Sequence, residues 1–118
     1  GGNPIKNGIT EIYAMRVQGL KVQDSFYSLV NPKMRIPPVV RRMTGINNNM
    51  LKDAPLIEEV MPKLLEFIGD GVLVSHNTIG DLKFLSYFAK TVCKVDLQNF
   101  FLDPKKQSFS LLSNANLQ

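Results

Sequence analysis

Apolar and polar positions interleave through Ile9–Gln18 (ITEIYAMRVQ), a stretch rich in β-branched and aromatic residues. The pattern predicts a strand, and apolar side chains on both of its faces predict cover on both sides. Gly19-Leu20 is a short connection and Lys21–Val30 (KVQDSFYSLV) a second strand, so the pair predicts a hairpin. Asn31-Pro32 ends it, because proline cannot donate into a ladder. Pro37-Pro38 can open a short helix over Val39–Met43 that closes at Gly45.

Farther along, Asp53-Ala54-Pro55 predicts a second helix start, and Leu56, Val60, Leu64, Phe67 and Ile68 recur at helical spacing. Pro62 inside that pattern predicts a kink. Gly69-Asp70-Gly71 reads as a turn and Val72–Ser75 as a short buried strand. Ile79–Val92 follows as a helix, with Leu82, Leu85, Phe88, Ala89 and Val92 as its stripe. Asp96–Phe101 is compatible with helix or strand, Asp103-Pro104-Lys105-Lys106 is a turn, and Phe109–Leu117 reads as a helix. Hairpin, helices and buried strand together predict one α/β domain over residues 1–118.

Composition narrows the class. With 44% hydrophobic and 20% charged residues, the chain reads as globular rather than disordered. No apolar run approaches a membrane span. The single cysteine, Cys93, excludes an internal disulfide and suits a cytoplasmic protein. With one histidine and one cysteine, zinc ligation is out of reach, so any metal would be held by oxygen. The net charge of +4 leans toward polyanionic partners. Lys33, Arg35, Arg41 and Arg42 fall close together beside Met43-Thr44-Gly45-Ile46, either as a solvated loop face or as a phosphate-contacting rim.

The chemistry concentrates in LVSHNTIGDLKFL, Leu73–Leu85. If Val72–Ser75 is a strand, His76 and Asn77 lie at its carboxyl end, where ligand sites of α/β sheets gather. Asp81 then sits in the first turn of the next helix and can bind a hard divalent cation. An ordinary structural account also serves: Asp81 complements the helix dipole while Asn77 or Thr78 caps the helix.

Taken in order, these pieces resemble the DnaQ-like 3′–5′ exonucleases, the DEDDh branch of the ribonuclease H-like superfamily. Gly1–Val17 is similar to the segment after that family's first acidic motif. Ser28–Asn31 with Ile36-Pro37-Pro38 resembles its "LVNP…IPP", Met43–Ile46 its "TGI", and Lys52–Val60 its next helix start. Val74–Leu85 resembles its second motif, "VAHNxxFDxxFL". The resemblance implies a ribonuclease H-like mixed sheet with an N-terminal hairpin and flanking helices. It implies two-metal hydrolysis of terminal phosphodiesters with Mg2+ or Mn2+. Asp81 takes the place of a metal ligand, and His76 and Asn77 that of a site-shaping pair. Thr44, Gly45 and Ile46, with Arg41 and Arg42, would lie near the 3′-terminal nucleotides, where an apolar side chain can wedge against a base. Implied partners are a single-stranded or frayed DNA 3′ end and a DNA polymerase III or helicase domain. Gly80 departs from the family, which has an aromatic residue there.

The other carboxylates of such a site are missing. None of the ten acidic residues forms Asp-x-Glu, and no histidine follows His76. Only Asp81 of the four expected carboxylates is present. The expectation is the middle of a longer exonuclease, without its first central strand and inactive alone. The alternative is a degenerate exonuclease fold that binds nucleic acid, a polymerase or a helicase without cleaving.

Overall fold

A computed structural model describes residues 9–112, apart from the Ile79 side chain. The Gly1-Gly2 opening and the part of the expected last helix beyond Leu112 lie outside the described residues. The fold is mixed α/β, with small antiparallel sheets and helices, in two compact units that divide between Phe67 and Ile68.

In the first unit, β1 (Glu11–Gln18) and β2 (Lys21–Leu29) form the expected antiparallel hairpin. Gly19 turns it at φ 62°, a backbone region that glycine enters without penalty. Register shifts between Arg16 and Val17, where Arg16 faces Asp24 but Val17 faces Val22, leaving Gln23 as a bulge. Among the described residues, cover on both faces of β1 is not found. Ile12 is buried, whereas Tyr13, Met15 and Val17 are more than half exposed. Side chains alternate across a strand, and Arg16 and Phe26 on one face meet Phe67, while Tyr13 and Tyr27 pair on the other.

Past the hairpin, Asn31 makes an isolated parallel bridge to Leu56, its N–H donating to the Pro55 carbonyl at 2.9 Å. That bridge holds Pro55-Leu56 extended, so the helix expected from Asp53 begins later: α3 spans Ile57–Ile68. Among the described residues two helices precede it. α1 (Pro38–Thr44) ends at Gly45, whose φ of 76° and N–H to the Arg41 carbonyl (2.8 Å) form a left-handed cap. α2 (Asn48–Leu51), which the apolar pattern did not predict, is capped by Asn47, whose side chain accepts the Met50 N–H at 2.9 Å. Ile36, Ile46 and Leu51 form a small core with Leu29 against it.

α3 runs through Pro62. A mid-helix proline costs about 3 kcal/mol. Burial of Val60, Met61 and Leu64 at about 1.5–3 kcal/mol each outweighs that.

The second unit opens with a turn at Gly69-Asp70. The strand expected at Val72–Ser75 reduces to one parallel bridge, Leu73 with Phe101. Val72 and Val74 are exposed, so this stretch is not a buried strand. Leu73 alone is held, its N–H donating to Phe100 at 2.9 Å and its carbonyl accepting from Leu102 at 3.0 Å. α4 (Thr78–Cys93) buries Leu82, Leu85 and Ala89 of the expected stripe.

β3 (Phe100–Asp103) and β4 (Ser108–Leu111) make a second hairpin. This overturns the helix expected from Phe109. The Asp103 carboxylate accepts the Lys105 N–H at 3.0 Å, and Gln107 takes φ 51°, so the chain doubles back and pairs with β3. Phe101 and Leu112 are buried, and the Asn99 side-chain amide donates to the Gly69 and Gly71 carbonyls at 3.0 and 2.8 Å.

Candidate functional site

Asp81 lies where the sequence pattern put it, in the first turn of α4. Its N–H donates to the Asn77 carbonyl at 2.8 Å, the first turn of the helix. The Asn77 side chain accepts the Gly80 N–H at 3.4 Å as the cap, and the Thr78 hydroxyl donates to the Ser75 carbonyl at 3.1 Å. Gly80 makes that cap possible. A Cβ there would stand 2.5 Å from Asn77 Nδ2, so the aromatic residue of the family motif and this Asn77 position exclude each other.

A polar group not singled out in the sequence completes the arrangement. The Ser75 hydroxyl donates a short hydrogen bond to Asp81 Oδ2. The family motif has alanine at that place, so the signal was a serine at the end of an apolar run. Asp81 and His76 are exposed, and Oδ1 of Asp81 has no hydrogen-bond partner among the described residues. One carboxylate and one hydroxyl therefore converge, at a helix start whose dipole favours negative charge. No group of three His, Cys, Asp or Glu side chains able to hold a metal occurs among the described residues.

Thr44, Gly45, Ile46, Arg41 and Arg42 belong to the first unit. Arg41 and Arg42 are exposed in the last turn of α1. The Thr44 hydroxyl donates to the Val40 carbonyl at 2.8 Å and accepts the Ile46 N–H at 3.1 Å, tying the loop to its helix. Only 5% of Ile46 is exposed, and its side chain packs in the core with Ile36 and Leu51. Beside this loop, in the last turn of α1, the apolar side chain of Met43 is 77% exposed. Lys33 also leaves the basic rim, paired with Glu58 at 3.3 Å.

The chain matches the family model described as Exonuclease (RNase_T) over residues 1–116. It is 42% identical over 103 residues to a PolC-type DNA polymerase III of Caldanaerobacter subterraneus, covering 87% of this chain and 7% of that one. It is 40% identical over 85 residues to the DNA polymerase III subunit epsilon of Aquifex aeolicus, covering 72% of this chain and 42% of that one. The chain thus spans less than half the length of either relative. Its fold resembles that of Exonuclease X in complex with 5′ overhanging duplex DNA, with a TM-score of 0.60 and 25% identity over 79% of this chain and 49% of the other. The chain belongs to the exonuclease family, as a DnaQ-type exonuclease domain related to these polymerase III chains.

Proposed function

We propose that these residues serve a 3′–5′ exonuclease that hydrolyses terminal phosphodiester bonds of DNA by a two-metal mechanism, related to polymerase III proofreading. The observation that carries the reading is Asp81, held by Ser75 at a capped helix start beside His76 and Asn77, in a chain of the exonuclease family. Asp81 would be one ligand of a divalent ion, Mg2+ or Mn2+, with His76 and Asn77 shaping its surroundings. Two such ions need more oxygen ligands than the one carboxylate and one hydroxyl that converge here. None of the ten acidic residues forms an Asp-x-Glu pair, so in this reading a longer polypeptide would supply the remaining carboxylates. Alone, the chain is inactive.

On the first unit, Arg41 and Arg42 would meet phosphates, and Met43 with the Thr44-Gly45 backbone would meet the terminal nucleotides of a single-stranded or frayed 3′ end. The Exonuclease X complex with DNA supports that substrate class. The polymerase III relatives support a polymerase as partner.

A second reading, a module that binds nucleic acid, a polymerase or a helicase without cleaving, is favoured by the single carboxylate. One experiment separates the two. A 3′-labelled single-stranded DNA is incubated with Mg2+ or Mn2+ and either the 118-residue chain or a longer polypeptide that supplies the missing carboxylates. The short chain leaves the label intact and the longer one releases it, unless Asp81→Ala is introduced with circular dichroism unchanged. Full activity of that variant removes Asp81 from the site. An inactive longer polypeptide favours the binding module.

A further inference from the structure

A groove of about 510 Å³ opens on the first unit between the Asn31–Arg35 segment and α2 with Lys52. Its lining has an unusual balance of donors and acceptors. Two cations, Arg35 and Lys52, line it, and neither side chain has a hydrogen-bond or ion-pair partner among the described residues. No carboxylate lines it. The two amide side chains in its wall, Asn31 and Asn48, have spent their oxygens internally. Asn31 Oδ1 accepts the Lys33 N–H at 2.9 Å, and Asn48 Oδ1 accepts the Ile36 N–H at 3.0 Å. The side-chain groups of the lining left without a partner are donors: the guanidinium, the ammonium and the Asn48 Nδ2. Such a set suits an anion, and a bidentate guanidinium suits a phosphate above other anions.

At about 510 Å³ the groove has room for more than a phosphate. Met34, 45% exposed, and Pro32 offer apolar surface beside the cations, as a base or sugar would require. We propose that this groove is a nucleotide-binding site, in which Arg35 and Lys52 hold a phosphate and Pro32 and Met34 pack against the attached base or sugar. The site rests on the nucleic-acid reading above and extends it to residues of the first unit. The nucleotide has two sources, a unit of the bound strand or a free nucleoside monophosphate such as the reaction releases.

The test uses the 118-residue chain in EDTA, so that nothing is cleaved, with fluorescein-labelled oligothymidylate and, separately, thymidine 5′-monophosphate. Arg35→Ala/Lys52→Ala is compared with wild type and with Lys105→Ala/Lys106→Ala, which removes equal charge from an exposed turn. For a strand site, the groove variant binds oligothymidylate about tenfold more weakly. Its log K against log salt also flattens by about 0.7, the loss of one single-strand phosphate contact. A loss confined to the monophosphate assigns the groove to the free nucleotide. Unchanged binding of both ligands overturns the site, as does an equal loss in the Lys105/Lys106 variant. If wild type binds neither ligand, the nucleic-acid reading falls along with the groove.

Discussion

The Arg16 guanidinium lies 4.4 Å above the Phe67 ring and donates to the Phe67 carbonyl at 2.6 Å, tying strand β1 to the last turn of α3. That carbonyl is among those a helix end leaves unpaired, and a cation there also complements the dipole. Arg16→Ala is expected to destabilise the fold by about 1–2 kcal/mol, the sum of a cation–π contact and one hydrogen bond. Asp24 meets the same guanidinium at 3.5 Å with both side chains half exposed. Asp24→Ala should therefore cost less than about 1 kcal/mol. Urea unfolding of the two variants checks the order, and equal losses would shift the weight to the ion pair.

Gly80 and Asn77 are coupled by space, since an added Cβ meets the Asn77 amide. Alanine favours a helix over glycine by about 1 kcal/mol, but here it must displace a cap worth about 1 kcal/mol. Gly80→Ala is expected to gain little or nothing in the wild-type chain. In an Asn77→Ala background, where the cap is already gone, it should stabilise by about 1 kcal/mol. Thermal unfolding of the four chains measures the cycle, and an equal gain in both backgrounds contradicts the coupling.

Ile46 and Met43, on either side of the Gly45 cap of α1, differ in burial. Ile46→Ala opens a hole against Ile36 and Leu51 and is expected to cost about 2–5 kcal/mol. Met43→Ala, at an exposed position, should leave stability within about 0.5 kcal/mol. Oligothymidylate binding should weaken for Met43→Ala. Denaturant melts and fluorescence polarisation read the two effects separately, and unchanged binding by the Met43 variant takes it out of the interface.

Glu58 makes the fold sensitive to acid. A hydrogen bond from its own backbone N–H lowers its carboxyl below the ordinary 4.5, partial desolvation opposes this, and the Lys33 ammonium adds to the lowering. With the folded value depressed, the unfolded chain binds the proton first. The stabilisation is complete above 4.5 and is lost as pH falls through the lower folded value. Glu58→Gln should flatten the acid limb of stability measured from neutral pH down to about 3. Parallel curves for wild type and variant would exclude the effect.

Local physics made much of this protein legible in its sequence. Gly19 between two β-rich runs specified the first hairpin, Pro37-Pro38 and Gly45 bracketed α1, and Asn77 with Asp81 marked the start of α4. Those signals act within a few residues, through backbone dihedrals and caps, and need no distant partner. The ordered motifs from Ser28 to Leu85 likewise identified the exonuclease family. Pairing and burial were decided elsewhere. Val74 and Ile46 are both apolar, yet one is exposed and the other core, because burial depends on what the rest of the chain brings alongside. Residues 109–111 became a strand because the Asp103 turn delivered them to β3. The same holds for charge. Lys33 and Arg35 are two residues apart in sequence, but only the tertiary structure gave Lys33 a carboxylate and placed Arg35 with Lys52 in the lining of one groove. Electrostatic partners are chosen by distance in space, which sequence spacing does not encode.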